Sequence, residues 1–423
     1  MLIKKLRQKL SSQYLRNIGW MGGAELVNRV FRLGTTVTLS QLLNPYDYGL
    51  IAIVLTTNEF ATVFTLRAGI GSKIVQAAEK DLKIICQTSY WLNWILCGVM
   101  FILQCLAALP VALFYSNNQV ILPICVMALV YLMLPIFAVQ SALIQRENRL
   151  KITALCNATQ SILINIFTIA LALLGMGMWA VVIPIVITTP VWIVINLMNH
   201  SWRPTMSFSF NKWQEVVSYA RNILGVELLN KLRANLDYLI IGRFLGVQAL
   251  GIYYFAFNAG LGISMNVINT MTWSSYPHLC AARGNVKQFQ ERYFSSLKTF
   301  ALIVFPLVLL QSSLAPFYVP IVFGQKWVTA IPILIVICLS ALPRPFADGA
   351  SMLLNSVDKS HINLYWNLIF TTIFTISLLV AVKWGIFWVA VAVLMTHLLA
   401  LPLYSIWASK YVLSRTQSLS IAK

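Results

Sequence analysis

Residues 90–114 read YWLNWILCGVMFILQCLAALPVALF and residues 119–143 read QVILPICVMALVYLMLPIFAVQSAL, with only Tyr115, Ser116, Asn117 and Asn118 between them. Neither run contains a charged side chain. An α-helix rises about 1.5 Å per residue, so each run is long enough to cross the roughly 30 Å of hydrocarbon in a bilayer. Only a helix satisfies its own backbone hydrogen bonds in lipid, and the pair therefore reads as a transmembrane hairpin.

Runs of the same kind recur on both sides, at 19–42, 48–70, 153–176, 178–198, 217–242, 249–273, 299–323, 328–354, 362–383 and 385–408, which makes twelve expected spans. The composition agrees: 59% of the 423 residues are apolar and 10% are charged, where a soluble domain carries roughly 25% charge. Connections such as Asn44 to Asp47, Ser116 to Asn118 and Gly175 to Gly177 are too short to hold a soluble domain. The start, MLIKKLRQKLSSQYLRNIGW, is basic and runs on into apolar sequence without a small-residue cleavage site, so it reads as a retained first span.

Lys and Arg number 31 against 12 Asp and Glu, a formal charge of +19. On the expected topology 22 of the basic residues fall at the termini and in the longer loops of one side, while the other side holds only Lys326 and Lys383. Cytoplasmic loops collect positive charge, so both termini are expected in the cytoplasm. Such an excess in so apolar a chain belongs to membrane surfaces or a polar cavity, not to nucleic acid. The seven cysteines stand singly, without Cys-x-x-Cys or metal spacing, which argues against a disulfide framework, a structural zinc or any other metal site. No Walker motif appears, so direct ATP coupling is not expected.

An offset of 202 residues aligns Gly23-Ala-Glu-Leu-Val-Asn-Arg29 with Gly225-Val-Glu-Leu-Leu-Asn-Lys231, identical at four of seven positions. Leu43 then meets Leu245 and Gly49 meets Gly251. A shift of six spans preserves topology, so the fold class expected is an all-α integral membrane protein of twelve transmembrane helices in two parallel six-helix lobes. The expected divisions are a basic segment at 1–18, an N-lobe at 19–198, a linker at 199–216, a C-lobe at 217–408 and a tail at 409–423.

A charged side chain at the bilayer centre is costly and normally faces a cavity or a partner. Glu25, Arg29 and Arg32 share one face of the first span. Glu227 and Lys231 repeat the first pair in span 7, Arg233 and Asp237 make a second pair at i, i+4, and Arg344 and Asp348 do the same in span 10. Arg344 lies between Pro343 and Pro345, where a helix is expected to break. The binding candidates are therefore Arg29, Arg32, Lys231, Arg233 and Arg344, because guanidinium groups bind phosphate oxygens in a bidentate fork. Glu25, Glu227, Asp237 and Asp348 are candidates for ion coupling or for plain charge pairing. Glu59 and Arg67 lie eight apart on one face of span 2, with Arg67 expected to snorkel to the cytoplasmic interface. His397 reads as a hydrogen-bonded helix contact.

The stretch LSQLLNPYDYGLIAIV followed by RAGIGSKIVQ resembles the opening of the polysaccharide transport family, the Wzx-type lipid-linked oligosaccharide flippases of the multidrug/oligosaccharidyl-lipid/polysaccharide exporter superfamily. LLNKLRANLDYLIIGRFLGVQALGIYYFAFN resembles the family's span 7, with Asp237 and Gly251 on its recurrent Asp and Gly, and SSYPHLCAARGN resembles the segment after span 8. The resemblance implies a V-shaped bundle like that of multidrug exporters and lipid II flippases. It also implies transfer of undecaprenyl-diphosphate-linked oligosaccharide, such as an O-antigen unit, between leaflets of the bacterial inner membrane by alternating access. The family's cationic cavity would fall here to Arg29, Arg32, Lys231 and Arg233. Each of these except Arg32 has an acidic neighbour four positions away, a departure that weakens the match.

Partners implied are the lipid-linked glycan, the bilayer and polysaccharide polymerase machinery, with no cofactor and with transport open to coupling with a proton or cation gradient. Two rivals keep the fold: a drug or metabolite antiporter, expected to favour acidic or aromatic cavities, and a lipid II flippase. A membrane polymerase or ligase would need a substantial periplasmic loop, and the outward loops are only a few residues each.

Overall fold

The computed structural model describes residues 13–205, 212–280, 282, 286–357 and 359–421. The first twelve residues, the middle of the expected linker and the last two residues lie outside these. Among the described residues every regular element is helical. Eight helices among the described residues are long and apolar enough to cross a membrane, and a bent pair makes a ninth if counted as one span. The chain is a multi-pass membrane protein. Two compact units divide it, Met1–Leu232 and Arg233–Lys423.

In the first unit, helix α1 (Gln13–Leu42) lies along α6 (Leu150–Leu173). Thr35 Oγ1 donates to Asn165 Oδ1 at 2.6 Å, and the Ser161 hydroxyl donates to Asn28. The Asn-Pro-Tyr-Asp turn is a capping box that opens α2 (Pro45–Phe64): the Asn44 side chain accepts from the Asp47 amide at 2.9 Å while Asp47 accepts from the Asn44 amide. The hairpin read from residues 90–143 is formed by α4 (Glu79–Tyr115) and α5 (Ile121–Arg146). Its face pattern follows the solvent: Leu106, Leu109 and Leu113 point outward, whereas Ala108 and Ala112 are buried. Small residues at that seam let the two backbones approach. Tyr131 Oη donates to Gln104 Oε1 at 2.8 Å, and Gln104 donates to the Ile124 carbonyl at 2.9 Å, tying the hairpin with side-chain bonds.

Two spans of this unit are broken. After α2 the chain turns through Leu66, held at φ 54°, and restarts as α3 (Arg67–Gln76) at a bend of 40°. A left-handed leucine costs about 1–2 kcal/mol and persists only where its surroundings fix it. The last expected span of this half is α7 (Trp179–Thr188) followed by α8 (Pro190–Asn199), separated at Thr189 because Pro190 has no amide to continue the ladder. Helix α9 (Trp213–Phe244) then passes α3 so closely that Gly69 sits against Ala220.

The second unit holds the end of α9 and helices α10 (Val247–Ala259), α11 (Leu261–Cys280), α12 (Val286–Tyr318), α13 (Ile331–Leu339), α14 (Arg344–Ser356), α15 (Ser360–Ala381) and α16 (Ile386–Ile421). Its core centres on Trp327, fully buried and stacked on Phe255 with ring centroids 3.9 Å apart. The expected span at 328–354 breaks between Leu339 and Arg344, beside Pro343 and Pro345. Neighbour relations repeat between the units. In the first, α2–α3 and α4 both pack on α5, and α5 and α6 both pack on α7–α8. In the second, α10–α11 and α12 both pack on α13–α14, which with α15 pack on α16.

Candidate functional site

A cavity of about 740 Å³ lies in the first unit beside the break between α2 and α3. Helix α2 contributes Asn58, Glu59 and Thr62, α3 contributes Arg67 and Ser72, α4 contributes Asn93, α5 contributes Ser141 and Gln145, and α9 contributes Glu227, Asn230 and Lys231. Amides, hydroxyls and charges inside a membrane-spanning unit are stable only where water, a polar ligand or another protein group meets them. Lys231 Nζ donates to Glu59 Oε2 at 2.9 Å, an ion pair half exposed to the cavity. The lysine thus reaches across to another helix. Glu227, one turn earlier on α9, lines the same space.

Arg67, expected to snorkel to the cytoplasmic interface, is the first residue of α3, whose ten residues span about 15 Å. Its guanidinium lies over the rings of Phe137, at 5.4 Å, and Trp192, at 5.9 Å, and it is exposed to the cavity. The Trp192 indole is fixed in turn, donating to Gln160 Oε1 at 2.7 Å.

Arg29 is half-buried and Arg32 exposed on α1, and neither lines this cavity. The Glu25 side chain lies outside the described residues. Ion pairs fasten the far end of α3. Arg146 donates to the carbonyls of Ile74, Val75 and Ala77 at 3.1, 3.0 and 2.6 Å and to Glu79 Oε1 at 2.7 Å. Lys73 pairs with Glu215 at 3.3 Å and Lys212 with Asp81 at 2.8 Å. The bond to Asp81 raises the Lys212 ammonium above its ordinary pKa. Arg146 donates to carbonyls at and just past the end of α3, so Arg146→Ala is expected to lower stability by about 2–3 kcal/mol. Thermal unfolding in detergent measures this.

The remaining candidates form a separate cluster in the second unit, and their pairing differs from the helical spacing. Arg233 Nη1 donates to Asn367 Oδ1 at 2.5 Å. Asp237, expected to pair with Arg233, instead accepts from Tyr253 Oη at 2.8 Å and from the Tyr238 amide at 3.0 Å. Tyr253 on α10 is fully buried, and its hydroxyl gives the carboxylate a neutral donor in place of a second desolvated charge. Arg344 donates to Met265 Sδ at 3.2 Å, with Asp348, Arg233 and Asp237 within electrostatic reach. His397 Nδ1 contacts the Val393 carbonyl at 2.6 Å between the rings of Phe370 and Phe374, a helix contact. Among the described residues no three His, Cys, Asp or Glu are grouped to hold a metal ion.

Residues 38–332 match the family described as polysaccharide biosynthesis protein. The chain belongs to that family. A relative is the teichuronic acid biosynthesis protein TuaB of Bacillus subtilis (strain 168), 24% identical over 332 residues, covering 77% of this chain and 68% of TuaB. The lipopolysaccharide biosynthesis protein WzxC of Escherichia coli (strain K12) is 22% identical over 370 residues, 84% of this chain and 72% of WzxC. Among solved structures, an inward-facing multidrug resistance MATE family transporter of the MOP superfamily superposes with a TM-score of 0.77 at 15% identity, covering 92% of this chain and 96% of its own. The lipid II flippase MurJ gives 0.71 at 14% identity, covering 92% and 87%. These likenesses carry the fold. The family members expected from the opening motif and from span 7 are thus the ones found.

Of the residues singled out in the sequence, the fold brings Glu227 and Lys231 into the cavity and gathers Arg233, Asp237, Arg344 and Asp348 elsewhere. Sequence reading noted Glu59 and Arg67 without assigning them to a site. Their eight-residue spacing was the available signal, but it could not show the chain break between them.

Proposed function

We propose that this protein moves undecaprenyl-diphosphate-linked oligosaccharide units from the cytoplasmic to the periplasmic leaflet of the bacterial inner membrane by alternating access. It works as a transporter, not an enzyme, with twelve spans, both termini cytoplasmic and a proton or cation gradient in place of a cofactor. The observation that carries this reading is a polar, charged cavity of about 740 Å³ within a membrane-spanning unit of a polysaccharide biosynthesis family member. A diphosphate and its sugars cannot cross hydrocarbon unaided, whereas the polyprenyl tail can stay in lipid. The cavity offers hydrogen-bonding groups to the head group alone.

Cells depleted of the protein are expected to accumulate the lipid-linked oligosaccharide on the cytoplasmic leaflet, inaccessible to an impermeant glycan probe. Intermediate that reaches the periplasm at the normal rate in cells with no second flippase would remove this function. Within the cavity, Lys231→Ala is expected to reduce glycan export several-fold at unchanged membrane level. Full export in the reciprocal variant Glu59→Lys with Lys231→Glu would assign that pair to structure only.

A further inference from the structure

We propose that Arg67 grips the phosphate oxygens of the transported head group, with Phe137 and Trp192 holding its guanidinium as a preset plate. This rests on the flippase reading above and names the anchoring residue inside that cavity.

Arg67 differs from Lys231, Arg146 and Arg233 in what its donors do. Lys231 is engaged by Glu59, Arg146 by three carbonyls and Glu79, and Arg233 by Asn367. Among the described residues no acceptor takes any N–H of Arg67, and no carboxylate pairs with it, although it lines the cavity. A guanidinium carries five donors in a planar fork. Aromatic rings satisfy its face and leave the donors at its edge directed elsewhere. An unneutralised cation within a membrane-spanning unit is costly unless an anion or water meets it.

The local fold adds to the same field. Arg67 is the first residue of α3, and no side chain caps that end. The first amides of a helix carry its positive dipole end, which favours an anion beside Arg67. Glu59, the acidic neighbour on α2, is taken by Lys231 and so competes little for the site. The plate is fixed by the Trp192 bond to Gln160, so the fork is preorganised rather than assembled on binding. The chemistry recognised is a phosphate ester with two or more adjacent oxygens, which a bidentate fork matches. A lipid-linked diphosphate and a bulk anionic phospholipid both present it, and the proposal commits to the diphosphate.

The test is equilibrium binding of a radiolabelled short-chain isoprenyl diphosphate to the full chain in phosphatidylcholine nanodiscs, with the isoprenyl alcohol of equal length and phosphatidylglycerol as comparators. Arg67→Gln is expected to weaken diphosphate binding about 10- to 100-fold, the effect of losing charge-assisted hydrogen bonds. Arg67→Lys keeps the charge but loses the fork and is expected to weaken it about tenfold. Alcohol binding is expected to be equal in all three proteins, and unchanged melting of the Lys variant separates binding from folding. Wild-type diphosphate affinity in both variants would overturn the proposal while leaving the flippase reading intact, and so would displacement by phosphatidylglycerol at equal concentration. Absence of diphosphate binding by the wild type would overturn both.

Discussion

Gly69→Val is expected to abolish glycan export and to lower stability by about 3 kcal/mol, the upper part of the usual range for overpacking. A Cβ built on Gly69 would stand 2.4 Å from Ala220 Cα and 2.6 Å from Ala220 Cβ. The nearest atom is backbone and cannot rotate away, so α3 and α9 would have to separate. Arg67 is on α3 and Lys231 on α9, and separation would pull apart two walls of the cavity. Adding Ala220→Gly to Gly69→Ala is expected to recover only part of the loss, because the methyl group at position 69 still collides with the backbone at position 220. Thermal unfolding in detergent alongside an export assay tests this; wild-type values in both would mean that the close approach of these helices does not position the cavity.

Trp327→Ala is expected to cost about 3–5 kcal/mol, as truncations of fully buried aromatics do. Trp327 is stacked on Phe255, which also meets Phe323 edge to face at 5.2 Å. Its removal leaves a cavity at the junction of α10 with the Gln325–Ala330 turn and α13, all within the second unit. The variant is expected to lose protein from the membrane rather than to accumulate as an intact but inactive transporter. Measured membrane level at wild-type abundance, together with an unchanged melting temperature, would show that the stacked pair is dispensable.

The hairpin at residues 90–143 was legible because charge-free runs of that length have one stable solution in lipid. The capping box at Asn44 to Asp47 was legible as a turn because its chemistry is local. The break before Arg67 was not. Its hinge residue, Leu66, has φ 54° without being Gly or Asn, so nothing in its type announces a left-handed turn. Once the break is missed, Arg67 lies three residues from the end of an expected span and reads as a snorkelling side chain, when it is in fact the start of a new helix facing a cavity.

Charge spacing had a similar limit. The i, i+4 rule pairs Lys231 with Glu227 and Asp237 with Arg233, and it could not supply partners from other helices. Lys231 finds Glu59, 172 residues away in the chain, and Asp237 finds Tyr253. Helical periodicity fixes which face a residue shares, and the packing of α2 and α10 then decides which group meets it.

The most direct test of transport is reconstitution. Purified protein placed in liposomes with a fluorescent undecaprenyl-diphosphate oligosaccharide on both leaflets is treated with a membrane-impermeant glycosidase. Loss of nearly all the glycan signal, against about half in protein-free liposomes and several-fold more slowly with Lys231→Ala, is the result expected of a flippase that uses this cavity. Protection of half the substrate in the presence of the wild-type protein, under an imposed proton or sodium gradient of either sign, would contradict it.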